Sequence, residues 1–368
     1  MLASPPPLAY FAFSFRLLRG ALTSPSLTIG LPVLNAAPYL GACLRSIFAQ
    51  TFTDWELIIV DDASTDGTLE LLNSLRDPRV LVFADGRHLG LGARLNEIVR
   101  RARSPYIARM DADDLMHPER LRKQLEFLRS QPAVDAVGCS MIVLDSDLML
   151  RGVRRVPTAH ADICARPLSS FRIAHATMLG KRDWFAAHPY DESARGCEDW
   201  RLLLDTYGHS QFANLAEPLY FYREYDSYSL RKYLAAKRNT IEVLWRAHHL
   251  GFRRHRVAAA IFAQFARMAV YSAASPFGLD RTLLQRRSAP ADSVAAATQV
   301  IANLISEPCP TDVHNPTKRP SHELQRMGQL GGNGRFAANL CQKQTCLDPA
   351  RIIHDFSRAA SRASGIGL

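Results

Sequence analysis

Tyr106-Ile107-Ala108-Arg109-Met110-Asp111-Ala112-Asp113-Asp114 is the stretch on which the reading of this chain turns. Its first half is apolar and predicts a strand over 106–110. Its second half sets three carboxylates at the end of that strand, ahead of a helix predicted over 118–129. Hard cations such as Mg²⁺ and Mn²⁺ prefer oxygen ligands, take one or two carboxylates, and leave other positions to substrate phosphates and water. Asp111 and Asp113 form an Asp-x-Asp pair that would supply such ligands. A solvated acidic turn ahead of the helix is the plain alternative, and short acidic motifs do not decide between the two by themselves.

A second acidic turn, Val60-Asp61-Asp62-Ala63-Ser64-Thr65-Asp66-Gly67, repeats the arrangement. It follows an apolar run at 55–60 and precedes a helix with Leu69, Leu72 and Leu75 on one face. Strands predicted over 27–31, 55–60, 80–83, 106–110 and 134–140 alternate with helices over 38–49, 68–75, 91–102 and 118–129. Such alternation predicts an α/β fold with a doubly wound, mostly parallel sheet. Ligands bind outside the carboxyl ends of the strands in these sheets, so both acidic loops are expected to converge on one crevice. There Asp62 would accept from a nucleobase imide and Asp111 from ribose hydroxyls, while Asp66 is expected to cap the following helix.

The order of motifs carries a family resemblance. Leu27-Thr28-Ile29-Gly30-Leu31-Pro32-Val33-Leu34-Asn35 is followed by Ser46-Ile47-Phe48-Ala49-Gln50-Thr51-Phe52, by the two acidic loops, by Ile173-Ala174-His175-Ala176-Thr177-Met178 and by Glu198-Asp199-Trp200. Over 27–225 the chain resembles a family 2 glycosyltransferase of the GT-A fold, of the bacterial polysaccharide type. The resemblance implies inverting transfer of a sugar from a nucleotide-diphosphate donor, a UDP-sugar as the first expectation, to a hydroxyl of a glycan or lipid-linked acceptor. It implies that Pro32, Asn35 and Asp62 hold the base, that Asp111 and Asp113 meet ribose and the metal-bound diphosphate with Mn²⁺ or Mg²⁺ as cofactor, and that Asp199 in the Glu198-Asp199 pair is the general base. His175 would approach the acceptor or diphosphate, or else be a buried histidine bonded to backbone. Glu198 and Asp199 also suit a helix N-terminus ahead of Leu202, Leu203 and Leu204. Under this reading 26–230 is the GT-A catalytic domain. Residues 1–25 form an N-terminal extension, 231–285 a basic amphipathic helical region, and 286–368 a polar tail expected to be disordered or weakly helical.

Competing classes fare worse. Gly90-Leu91-Gly92 begins like a dinucleotide fingerprint, but Leu95 stands where the third glycine would be, and no P-loop lysine motif occurs. A nucleotidyltransferase should show a glycine- and arginine-rich phosphate loop near its first strand, and 32–38 holds none. A catalytically silent nucleotide-sugar-binding or membrane-surface scaffold would be expected to have lost one of Asp62, Asp111, Asp113 and Asp199. The formal net charge of +10 would suit nucleic acid, yet no recognition motif is present and the acidic loops repel phosphate. An anionic membrane surface is the other basic-chain partner. Between 231 and 256 the sole acidic residue is Glu242, against eight arginines and lysines among Leu234, Ile241, Leu244 and Trp245. A helical cap with a solvated basic face is the alternative. Seven cysteines without zinc-ligand spacing suit a reducing, cytoplasmic location, with peripheral contact on the inner face of the membrane. No run of about 18 apolar residues occurs, so no spanning helix is expected.

Overall fold

The computed structural model describes residues 24–145, 147–224, 229–277 and 294–306. The first half alternates as expected: β1 (Leu27–Val33), α1 (Ala37–Phe48), β2 (Trp55–Asp61), α2 (Thr68–Ser74), β3 (Val80–Ala84), α3 (Leu91–Arg101) and β4 (Tyr106–Arg109). Every residue of β1 and β2 is buried. Leu57 and Ile59 join a core with Leu40, Leu44 and Ile47 of α1, whereas Ile58 and Val60 join a second core with Leu95 and Ile98 of α3. Apolar side chains therefore leave β2 on both faces, which is why it reads as an unbroken hydrophobic run. At Gly30 of β1 an added Cβ would lie 2.7 Å from Ile98 Cγ2, so the glycine lets α3 press close onto the sheet.

Strands β3, β2, β1 and β4 are neighbours in that order and parallel. Beyond β4 the sheet is mixed. β8 (Leu179–Lys181) runs antiparallel between β4 and β6 (Ala136–Leu144). β9 (Phe212–Arg223) lies parallel to β6, β5 (Leu115–Met116) pairs antiparallel with β9, and β7 (Leu150–Arg154) pairs antiparallel with β6. The doubly wound α/β architecture stands, with one difference of placement: the strand expected over 134–140 is separated from β4 by β8. β8 has three residues, too few for a period to show in the sequence.

The remaining helices are α4 (Arg120–Ser130), α5 (His160–Ile163), α6 (Arg182–Ala187), α7 (Glu198–Thr206), α8 (Leu230–Arg246), α9 (Arg254–Ala274) and α10 (Val294–Ser306). α10 falls inside the stretch expected to be a disordered or weakly helical tail, but Ile301 and Leu304 are buried against Leu115, Ile142 and Phe221. Ala297, Val300, Ile301 and Leu304 recur at helical spacing, and packing of that face secures the helix. The rest of the expected tail lies outside the described residues, as does the N-terminal extension up to residue 23.

The basic region becomes α8 and α9. Contrary to the expectation that no helix could span, α9 is long and apolar enough to cross a membrane by length and composition. Gln264 and Arg267 interrupt any continuous apolar run, so a search for unbroken runs passes over this helix.

Candidate active site

β1, β2 and β4 are adjacent and parallel, so their carboxyl ends open on the same edge of the sheet. β1 continues through Val33, which puts Pro32 inside the strand and buried rather than in a loop. Gly30 accepts from the Met110 N–H on the β4 side of β1, and Pro32, two residues on, faces the same side beyond the last β1–β4 pair. A residue without an N–H costs no ladder bond there. Leu34 and Asn35 form the exposed turn, and Asn35 holds the left-handed conformation at φ 50°. Asn35 Oδ1 accepts from the Thr65 N–H at 2.8 Å, while its own N–H donates to Ser64 Oγ at 2.9 Å, so the β1 and β2 loops are stitched together.

In the β2 loop, Asp62 is buried and engaged on both oxygens. Oδ1 accepts from the Leu89 N–H at 2.7 Å and from Arg94 Nε at 2.8 Å. Oδ2 accepts from the Gly90 N–H at 3.0 Å and lies 2.9 Å from His88 Nδ1. The His88 ring is more than half exposed, so it is the partner a ligand could displace. Asp66 stands one residue before the N-cap Gly67 rather than at it, but still serves the start of the helix: Oδ1 accepts from the Thr68 N–H and Oγ1, and Oδ2 from the Ala37 N–H. Those contacts hold its carboxyl below the usual range, against a smaller opposing effect than their sum from burial. Asp61, which the sequence reading passed over, keeps Oδ1 buried with no hydrogen-bond partner.

The β4 loop is arranged differently. Ligand atoms of Asp111, Asp113 and Asp114 all lie within 4.8 Å of one another. Asp114 is 1% exposed; Oδ1 accepts from the Arg223 N–H at 2.7 Å, while Oδ2 is buried without a partner. Burial, then repulsion from Asp113 and Asp111, pushes the Asp114 carboxyl well up, and burial followed by Asp111 raises Asp113. Crowded, partly orphaned carboxylates of this kind fit a hard divalent cation, whose charge relieves both their repulsion and the unmet acceptor. Asp114 thus joins Asp111 and Asp113 as a candidate ligand.

Arg109 is the residue that sequence reasoning missed. It is 6% exposed and grips Asp111 with two parallel bonds, Nη2 to Oδ1 at 2.7 Å and Nη1 to Oδ2 at 3.0 Å. Its Nε is buried without a partner. Burial opposes its charge, but Asp111 and, among more distant groups, Asp199 hold it cationic. Behind it, fully buried Arg120 donates through Nη2 to the Arg109 carbonyl at 2.8 Å and stacks over Tyr220, whose hydroxyl accepts from the Asp111 N–H at 3.3 Å.

Glu198 and Asp199 open α7, where carboxylates favour the helix dipole, so the structural reading holds beside the chemical one. Burial raises both carboxyls above the usual range, and Arg109 partly opposes the rise at each. His175 is buried, with Nε2 hydrogen-bonded at 2.8 Å to the Tyr190 hydroxyl rather than to backbone. Burial, then Arg109, pushes its pKa well down, so it is neutral. Asp111, Arg109, Tyr190, His175, Glu198 and Asp199 therefore share one electrostatic neighbourhood.

The family Glycosyl transferase family 2 matches residues 28–186. EpsE of Bacillus subtilis (strain 168), named as a glycosyltransferase, is 30% identical over 234 residues, covering 60% of this chain and 81% of EpsE. Chondroitin synthase of Escherichia coli is 29% identical over 189 residues, 49% of this chain and 26% of that protein. The crystal structure of S. aureus TarS superimposes with a TM-score of 0.50 at 18% identity, covering 76% of this chain and 52% of that one. The chain belongs to glycosyltransferase family 2, with the GT-A fold.

Proposed function

We propose that this glycosyltransferase performs an inverting transfer from a nucleotide-diphosphate sugar to a hydroxyl of a glycan or lipid-linked acceptor in cell-surface polysaccharide synthesis. The observation that carries the reading is the clustering of Asp111, Asp113 and Asp114 at the end of β4, with Arg109 paired to Asp111 and buried Asp199 feeling the charge of the same arginine. One set of carboxylates is suited to a cation and diphosphate, the other to a proton.

In this mechanism Asp199 accepts the acceptor hydroxyl's proton while that oxygen attacks the anomeric carbon. The new bond forms on the face opposite the nucleotide, and the old bond to the diphosphate oxygen breaks with its electron pair leaving on the nucleotide. A carboxyl raised by burial is a stronger base than an exposed one, which suits Asp199 to this task. Asp111, Asp113 and Asp114 would hold Mn²⁺ or Mg²⁺, which when bound stabilises the charge growing on the leaving diphosphate. Asn35 would line the base site, with Pro32 fixing the strand beneath it, and Asp62 would receive the base imide where His88 now stands. Neutral His175, held by Tyr190, would face the diphosphate or acceptor as a hydrogen-bond partner that adds no charge.

The remaining parts of the proposal concern location. Unpaired Cys43, Cys139, Cys164 and Cys197 suit a reducing cytoplasm, and the basic segment 231–275 suits contact with the anionic inner face of a membrane. The test of the enzymatic reading is sugar release or transfer from UDP-, dTDP- and GDP-sugars by wild type and Asp199→Asn. Turnover by wild type and its loss in a variant that still binds donor is the expected result. Equal turnover by both would remove Asp199 from the mechanism.

A further inference from the structure

α9 carries its polar and apolar residues the wrong way round for a helix that merely caps a domain. Its buried positions are Val257, Gln264 and Tyr271, a spacing of seven that draws one line along the helix. Tyr271 stacks on Tyr233 of α8 with ring centroids 4.4 Å apart, and Arg267 donates to Ser169 Oγ at 3.4 Å, so this line fastens the helix to the rest of the protein. The opposite side faces outward and is apolar: Phe262 is 74% exposed, Phe265 54% and Val270 54%, with Ala266, Ala269 and Ala273 exposed between them. At about 100° per residue these positions fall within a stripe roughly 140° wide.

Charge says what this stripe meets. Arg253, Arg254 and Arg256 are exposed where α9 begins, and Trp245 at the end of α8 is 72% exposed. An apolar stripe on a helix that begins with exposed arginines matches the boundary between acyl chains and anionic headgroups. A spanning orientation fits worse, because it would strip buried Gln264 and Tyr271 from their packing. The hairpin is also fixed to the catalytic helix: Val243 and Ala247 of α8 pack with Cys197 and Leu204, and Asn239 donates to the Arg195 carbonyl.

We propose that the outward face of α9 lies flat in the surface of an anionic phospholipid bilayer, with Phe262 and Phe265 inserted and Arg253, Arg254 and Arg256 at the phosphates, presenting α7 and Asp199 to an acceptor at that surface. This rests on the membrane contact proposed above and names the face that makes it.

The experiment is flotation of the full chain with phosphatidylcholine vesicles, with and without phosphatidylglycerol. Wild type is expected to float with the anionic vesicles. The Phe262→Ser, Phe265→Ser double variant should lose about tenfold or more in partitioning, since both rings are solvent-exposed and leave the fold untouched. Arg254→Gln, Arg256→Gln should lose binding to the anionic vesicles alone. Donor binding by each variant, read separately, is expected to stay at the wild-type level, which separates this face from the transfer site. Failure of wild type to float would overturn the membrane contact itself. Equal flotation of wild type and the double-serine variant would overturn the assigned face. A wild-type dimer that becomes monomeric in that variant would show that a second copy covers the stripe.

Discussion

The loops that end β2 and β4 have similar acidic compositions and opposite electrostatics. In the first, Asp62 takes four donors and Asp66 three, so two of its carboxylates serve as fasteners for the β3–α3 loop and for the starts of α1 and α2. In the second, burial and then Asp111 push Asp113 up, burial and then Asp113 and Asp111 push Asp114 up, and Asp114 Oδ2 has no partner. A carboxylate whose acceptors are filled is already doing its structural task. One that is buried, crowded and unfilled is the better candidate for a cation. The exception within the first loop is Asp61, whose orphaned Oδ1 marks the one carboxylate oxygen there with capacity left.

Substitutions can break this contrast. The largest effect is expected at neither loop but at the base: Asp199→Asn should lower kcat by about 10²–10⁴-fold with donor affinity little changed, measured by turnover and by calorimetry. Because burial raises the Asp199 carboxyl, its deprotonated, active form is lost as pH falls through a value above the ordinary carboxylate range. The acid limb of the kcat/KM profile should lie there; a limb at the ordinary value would point to a solvent-exposed base. Asp62→Ala should cost stability, about 2–3 kcal/mol by denaturant unfolding, because buried Arg94 and two backbone N–H groups lose their acceptor. Asp85 and Glu97 still pair with Arg94 and keep the loss from being larger. The smallest effect belongs to Asp66→Ala, about 1 kcal/mol of stability for the acceptor lost by the first N–H of α2.

The parallel half of the fold was legible because burial on both faces leaves continuous apolar runs ended by turn residues, and β1 to β4 lie within two residues of their expected bounds. β5 and β8, with two and three residues, carry no periodic signal, and β9 is interrupted by Glu217 and Pro218 where its pairing with β6 shifts register. The paired carboxylates could be read because the chemistry of a diphosphate demands them at strand ends. Arg109 could not, since a single arginine closing a short strand has many ordinary uses until folding shows it gripping Asp111. Tyr190 was equally silent: its meeting with His175 depends on how the loop before α7 returns to the sheet.

The most direct test of the account is a calorimetric titration of UDP-, dTDP- and GDP-sugars into wild type, Asp113→Asn and Asp114→Asn, each with and without Mn²⁺. The account predicts that one nucleotide class binds wild type in a Mn²⁺-dependent way and that both variants lose this dependence. Donor binding by wild type with the same affinity whether or not Mn²⁺ is present, or unchanged in both variants, would contradict the assignment of the β4 loop as the cation and diphosphate site.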